Sequence, residues 1–99
     1  MILESAELLI KPGMEAEFEA GVRQATPLFQ RARGCEGMSL QRGIENPLAY
    51  RLLVKWQTVE DHNVHFRGSD DIQELRRLVG HCFDGAPSVS HLSTVLEGF

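Results

Sequence analysis

Cysteine is scarce in this sequence, and the two cysteines present lie far apart. Cys35 and Cys82 are the only ones among 99 residues, so the chain has neither a CxxC pair nor closely spaced thiolate ligands for a metal. The N-terminus lacks the basic stretch followed by an apolar run that marks a secretory signal. We therefore expect a cytoplasmic protein with two free thiols, since disulfides are rare in reducing compartments.

Long hydrophobic runs and an excess of basic residues are also absent. No segment approaches the roughly 20 apolar residues that span a bilayer, and no basic amphipathic helix suggests a membrane surface. Ten basic against fourteen acidic side chains give a formal net charge of −4, whereas nucleic-acid binding depends on basic patches. The composition predicts neither a membrane nor a nucleic acid as a partner.

The apolar residues that are present follow a regular pattern, which predicts four strands and three helices. Apolar residues alternate in strands and recur every three to four residues in helices. The predicted strands cover residues 2–10, 37–44, 49–57 and 88–96, and the predicted helices cover 14–33, 58–66 and 70–82. Gly34 is the expected end of the first helix and Thr58 the expected cap of the second.

This order of elements predicts the fold class. Strand, helix, hairpin, helices and strand form two βαβ halves, which is the ferredoxin-like βαββαβ arrangement of the α+β class. We expect one domain over residues 1–99, with a four-stranded antiparallel sheet and all helices on one face. A chain this short buries a thin core, and association with another copy would compensate for it.

Apolar residues on both sides of the strands predict such a partner. In the third strand Leu53 faces opposite to Leu52 and Val54, and in the last strand Leu92 faces opposite to Val89. A sheet with one face in water shows cleaner alternation of apolar and polar residues. A homodimer through the second face is the expected explanation.

The stretch from Leu53 to His62, LVKWQTVEDH, resembles the antibiotic biosynthesis monooxygenase family. A strand that ends in Trp56 is followed by a polar cap, an acidic residue and a helix that contains His62. The following VHFRGS at 64–69 and APSV at 86–89, before the closing strand, fit the family as well. The resemblance implies a dimeric α+β barrel with a ligand pocket between sheet and helices in each subunit. Members include cofactor-free oxygenases of aromatic quinols or polyketides, and heme-degrading enzymes.

The site residues of two branches of the family are only partly present in this chain. Where quinol-oxidising members have a strand Asn four residues before the Trp, this chain has Leu52. Their helical Tyr falls near His62, whereas their helical Arg is matched in type by Arg76. Heme-degrading members use a first-strand Asn and a helical Trp, and the first strand here has no Asn. The resemblance therefore favours the cofactor-free branch over heme degradation.

The candidate site follows from these residues. His62, His65 and Arg76 are the predicted catalytic residues, one imidazole acting as base and the guanidinium steadying a developing oxyanion. The predicted substrate-binding residues are Trp56, Tyr50, Leu52 and Phe66. Each of these residues also has a purely structural interpretation. Trp56 and Tyr50 could be core residues instead of pocket walls, and the two histidines and Arg76 could lie on a solvated helix face. His91, on the last strand, is a candidate for a different position, inside the barrel between the two subunits.

The sequence thus predicts a cofactor-independent monooxygenase acting on a small aromatic, quinol- or polyketide-like substrate, with no metal and no cofactor. Two alternatives stay open. One is a dimeric barrel that binds a small molecule or regulates a neighbour without catalysis, and the absent strand Asn favours it. The other is a related polyketide cyclase or isomerase.

Overall fold

The computed structural model describes all residues 1–99, and it has the predicted element order. The strands are β1 (Ile2–Leu9), β2 (Cys35–Arg42), β3 (Ala49–Trp56) and β4 (Ser88–Ser93). The helices are α1 (Glu15–Gln30) and α2 (Asp70–Val79), with a π-helical segment at Asp61–Phe66 before α2 and a 3₁₀ turn at Gly80–Cys82 after it. None of the helices is long and apolar enough to cross a bilayer.

The four strands form one antiparallel sheet in the order β2-β3-β1-β4. The ferredoxin-like α+β prediction is therefore confirmed, including the β2–β3 hairpin. Even-numbered residues of β1 and β3 point toward the helices, because side chains of a strand alternate between its two faces. Seven residues of this parity are buried, and these are Glu4, Ala6 and Leu8 in β1 and Tyr50, Leu52, Val54 and Trp56 in β3.

The boundary between α1 and β2 depends on a glycine. The prediction extended the first helix to residue 33, but α1 ends at Gln30, and Gly34 then adopts a positive φ of 74°. A Cβ atom at Gly34 would overlap the carboxylate of Asp61. Glycine is the residue that tolerates both conditions, so it ends the helix and lets the start of the π-helical segment pack against the turn.

The last strand is shorter than predicted. The prediction of a strand over 88–96 is wrong after Ser93, because Ser93 pairs with Ile2 at the beginning of β1 and the sheet provides no further partner. The residues that follow form neither helix nor strand, and they include three exposed apolar side chains, Val95, Leu96 and Phe99.

The sheet face opposite the helices has no protein layer over it. Leu3 and Leu53 are half-buried there and Leu92 is exposed, among serines of β1, β2 and β4. Only 20 of the 99 residues are buried, which agrees with the thin core expected for this length. Cys35 and Cys82 are free thiols, as predicted.

Candidate functional site

A cavity of about 480 Å³ lies between the sheet and the helical layer. Ala6, Leu8, Leu52 and Val89 form its sheet side, while most of the remaining apolar wall comes from Phe29, Phe66 and α2. Four charged or ionisable side chains interrupt this apolar lining, and these are Glu4, His62, Arg67 and Arg76. A cavity of this size with few polar groups is typical of a small-molecule site.

At one end of the cavity, four side chains form a buried polar network. The indole Nε1 of Trp56 donates a hydrogen bond of 2.9 Å to Glu4 Oε1, and His62 Nε2 lies 3.3 Å from the same oxygen. His62 Nδ1 lies 2.8 Å from His91 Nε2. The indole ring of Trp56 stacks on the imidazole of His62, with ring centres 5.4 Å apart and planes 22° apart.

The strand register places three members of this network side by side. Glu4 of β1 is the direct partner of His91 in β4 and of Val54 in β3. Trp56 lies two residues beyond Val54, hence on the same face. The register alone therefore brings a carboxylate, an imidazole and an indole to one end of the helix-facing surface.

The π-helical segment supplies the fourth member, His62. Thr58 Oγ1 accepts a hydrogen bond from the backbone N–H of Asp61, which confirms the predicted cap. The backbone N–H of Arg67 then bonds to the carbonyl of His62, five residues earlier, as in a π-helix. His62 and Phe66, four residues apart, are both buried, whereas His65 is exposed. In this wider turn the two histidines are not the surface neighbours that an α-helix would make them.

Burial determines the protonation of His62 and Glu4. Burial, and then the nearby His91 and Arg67, lower the pKa of His62 to about 4. Burial raises the pKa of Glu4, although the hydrogen bond from Trp56 and the charge of Arg67 act in the opposite direction. Loss of hydration disfavours the charged form of both groups, so His62 is a neutral imidazole at pH 7.

The contacts favour one tautomer of His62 when Glu4 is ionised. An ionised carboxylate carries no proton, so its oxygen 3.3 Å from His62 Nε2 favours the tautomer with the imidazole proton on that nitrogen. His62 Nδ1 then accepts from the Nε2–H of His91. His91 is half-buried, so the chain of hydrogen bonds leads from Glu4 through His62 toward the surface.

The structure separates the seven predicted site residues into three groups. His62, Arg76, Leu52 and Phe66 line the cavity. Trp56 is fully buried behind His62 and reaches the cavity only through that ring. Tyr50 and His65 lie away from it, so their predicted roles find no geometric support.

Tyr50 belongs to a different cluster on the same sheet face. Its hydroxyl donates a 2.6 Å hydrogen bond to Glu19 of α1, and its ring packs edge-on against Phe18. Burial and the Glu19 carboxylate raise the pKa of Tyr50 to about 12. The side chain is therefore held as a neutral phenol that joins α1 to the sheet.

Sequence reasoning missed Glu4, Arg67 and His91 as members of the site. A signal for Glu4 existed, because it shares the strand parity of Ile2, Ala6 and Leu8, and an acid on a buried face needs partners. His91 faces the helix side of the sheet, opposite Glu4, and not the open face that a partner subunit would meet. Nothing in the local pattern distinguished Arg67 from a solvated arginine.

Two other features of the surface are weaker candidates for a functional site than the cavity beside His62. A larger but open hollow of about 690 Å³ lies at the end of the sheet that contains Glu7 and Arg51; these two side chains pair with each other at 2.7 Å, and no imidazole lines it. Glu17, His81 and Cys82 bring three potential metal-ligand atoms within 4.8 Å of one another, but two of the three are exposed. Exposed groups of this kind commonly come together without an ion.

Comparison with known proteins places this geometry in a family. The antibiotic biosynthesis monooxygenase family matches residues 1–78. The uncharacterized protein YczJ of Bacillus subtilis is 41% identical over 95 residues, which are 96% of this chain and all of that protein. A crystal structure from Bordetella bronchiseptica, whose name places it among the antibiotic biosynthesis monooxygenases, is 57% identical, with a TM-score of 0.95 over 96% of this chain and 97% of that one.

A more distant structure shares only the fold. SnoaB from Streptomyces nogalater, a cofactor-independent oxygenase solved as a variant, is 12% identical, with a TM-score of 0.83 over 98% of this chain and 95% of that one. The match over residues 1–78 and the extensive identity to the two relatives are decisive: the chain belongs to the antibiotic biosynthesis monooxygenase family.

Proposed function

We propose that this protein is a cofactor-independent monooxygenase that oxidises a small, electron-rich phenol in the cavity beside His62. The observation that carries the proposal is a buried, neutral imidazole at the wall of an apolar cavity, held between a carboxylate and a second imidazole. An imidazole that acts as a base must begin in its neutral form. The membership of the family and the fold shared with a named cofactor-independent oxygenase support the same activity.

The proposed reaction needs no redox group on the protein. A phenol that loses its proton becomes an electron-rich phenolate, which can itself transfer electrons to dioxygen. Oxygen bonds to the ring carbon para to the hydroxyl, and that carbon loses its hydrogen when the peroxide O–O bond breaks. The products are a quinone and water: 1-naphthol and O₂ would give 1,4-naphthoquinone and H₂O, with one oxygen atom in each.

The residues around the cavity have distinct tasks in this proposal. His91 occupies the acceptor nitrogen of His62 in the free protein, at 2.8 Å from Nδ1, so the phenol hydroxyl takes the place of His91 there. His62 Nδ1 then takes the phenol proton, and Glu4 stabilises the imidazolium that forms because its carboxylate lies 3.3 Å from Nε2. Trp56 fixes the imidazole plane by stacking. Leu52 and Phe66 exclude water from the reacting ring, which strengthens every charge interaction in the cavity. Arg76 lies in the cavity wall with its side chain exposed toward the mouth, so its positive charge offsets from a distance the negative charge that develops on oxygen.

The test is oxygen uptake with a panel of phenols that have a free para position, such as 1-naphthol and 1,5-dihydroxynaphthalene. The wild type should consume one O₂ per quinone formed. His62→Gln should lower kcat/KM by about 10²- to 10⁴-fold, the usual contribution of a positioned base. His65→Gln should behave as the wild type, since that side chain is exposed. Loss of activity in His65→Gln with retention in His62→Gln would reverse the assignment.

One observation favours a second candidate, a barrel that binds a small molecule without oxidising it. Leu52 occupies the position where quinol-oxidising relatives carry a polar strand residue, and it makes that wall of the cavity apolar. The same uptake experiment separates the two candidates. Phenols that bind with no stimulated oxygen consumption would support a binding module or a cyclase or isomerase, and would end the oxygenase proposal.

We further propose that the protein works as a cytoplasmic homodimer whose subunits pack through their open sheet faces. Half-buried Leu3 and Leu53 and exposed Leu92 provide the apolar centre of that face. The exposed apolar segment at 95–99 extends from the same sheet. Burial of such surface is the main driving force for association.

A further inference from the structure

Ion pairing divides the arginines of this protein into two groups. Of the eight arginines in the sequence, five have a carboxylate oxygen within 4.0 Å, and these are Arg31, Arg33, Arg42, Arg51 and Arg77. The three without such a partner are Arg23, Arg67 and Arg76. Acidic residues outnumber basic ones by 14 to 10, so a shortage of carboxylates does not explain the unpaired guanidinium groups.

Two of the three unpaired arginines line the same cavity. Arg67 follows the π-helical segment and Arg76 lies in α2, and both belong to the wall of the 480 Å³ cavity. Both side chains are exposed, which places their charges toward the mouth. The third, Arg23, lies on α1 beside a separate groove that also includes Glu19.

The one acid in the cavity lining can offset at most one of these two positive charges. Glu4 is the single carboxylate in the lining, it is buried, and its Oε1 atom is already in contact with Trp56 and His62. The cavity is therefore locally cationic within a protein of net charge −4. A guanidinium binds planar oxyanions through paired, charge-assisted hydrogen bonds, and it does so more strongly where the surroundings are apolar.

We propose that the ligand of this cavity is an aromatic carboxylate, whose carboxylate Arg67 and Arg76 bind while the ring occupies the apolar interior. This inference rests on the proposed function only in taking the same cavity as the site. It adds an ionised substituent that the oxidation itself does not need. The carboxylate would hold the ring at the mouth, so that a hydroxyl elsewhere on the ring meets His62.

The test compares binding of two matched probes by isothermal titration calorimetry. 6-Hydroxy-2-naphthoate and 2-naphthol share the ring and hydroxyl and differ by the carboxylate, which lies at the far end of the ring system from the hydroxyl. The wild type should bind the carboxylate at least about tenfold more tightly, and added salt should weaken that advantage. Arg67→Gln and Arg76→Gln should each reduce the advantage and the double variant should abolish it, while affinity for 2-naphthol stays within about twofold.

Two further variants complete the experiment. Arg23→Gln removes an unpaired arginine outside the cavity and should leave both affinities unchanged, whereas Arg67→Lys with Arg76→Lys should retain part of the preference through charge alone. Equal affinity for the two probes, no binding of the carboxylate, or an unaltered preference in the double Gln variant would overturn the inference. Because neither measurement involves oxygen, a confirmed preference stands even where the phenol panel shows no oxygen uptake.

Discussion

Glu4 and His62 are two ionisable side chains that share a buried site, and each depends on the other. The carboxylate accepts a hydrogen bond from Trp56, and His62 Nε2 lies 3.3 Å from the same oxygen. Removal of either partner would leave a buried acceptor unsatisfied, which costs about 1–3 kcal/mol. At the residue scale, the network therefore stabilises the wall of the cavity, in addition to the part it takes in the proposed reaction.

This burial predicts a pH dependence of stability. The folded-state pKa of His62 is about 4, below its ordinary value of 6.5, so the unfolded chain binds the proton more readily. The contribution of His62 is fully present above pH 6.5 and is lost as pH falls toward 4, up to about 3 kcal/mol. Denaturant unfolding from pH 7 to pH 4 should show a steeper loss in the wild type than in His62→Gln.

The comparison with His62→Gln is needed because the contribution of Glu4 to stability changes with pH in the opposite direction. Its folded-state pKa is raised, so its contribution is present at low pH and is lost as pH rises through that value. His81→Gln, which alters an exposed imidazole, is the matched control. Identical pH slopes in the wild type and His62→Gln would contradict a buried neutral imidazole.

Residues of the site were predictable only where a sequence pattern fixed both the element and its face. Leu52 and Phe66 could be placed because strand alternation and the motif around Trp56 located them, whereas the motif left the base as either His62 or His65. His91 could not be placed, because its position depends on the register between β4 and β1, which joins residues 87 apart. Long-range register is set by the whole sheet and leaves little trace in the local pattern.

At the scale of elements, the π-helical segment controls which histidine enters the cavity. The sequence predicts a helix over 58–66, and helical spacing by itself made His62 and His65 equal candidates. The bond from Arg67 to the carbonyl of His62 widens the turn and separates them. π-Turns are rare, and propensity does not reveal them, so this part of the site was beyond sequence reasoning.

Substitution of Gly34 tests whether its close packing against Asp61 positions the π-helical segment. Gly34→Ala combines a positive φ of 74° with overlap of its Cβ and the Asp61 carboxylate, at the start of the segment that carries His62. We expect a loss of more than about 2 kcal/mol in unfolding free energy, because the backbone strain alone costs roughly 1–2 kcal/mol. Thermal and denaturant unfolding would measure it.

Gly13→Ala is the matched control for that substitution. Gly13 also has a positive φ, of 88°, but nothing lies within 4 Å of the Cβ that alanine would add. It should therefore show the backbone cost alone. Equal destabilisation by the two alanines would mean that Asp61 moves aside without penalty, and that the packing of Gly34 does not position the segment.

For the whole molecule, the open sheet face leads to a prediction about association. Wild-type protein should sediment as a dimer at micromolar concentration, because a second copy would cover Leu3, Leu53 and Leu92. Leu53→Glu should shift the equilibrium to monomer, since a charge in the centre of the interface would be buried. Ile44→Glu, at an exposed turn residue, should remain dimeric. A wild-type monomer independent of concentration in analytical ultracentrifugation would refute the dimer.

The central claim is that the protein transfers one atom of dioxygen to a phenol bound in the cavity beside His62. The most direct test uses ¹⁸O₂ and mass spectrometry of the quinone. With the best substrate of the phenol panel, the wild type should give a quinone that carries one ¹⁸O atom and form labelled water. His62→Gln should form the same product at least about 10²-fold more slowly. An unlabelled quinone, labelled hydrogen peroxide in place of water, or unchanged turnover in His62→Gln would contradict the account.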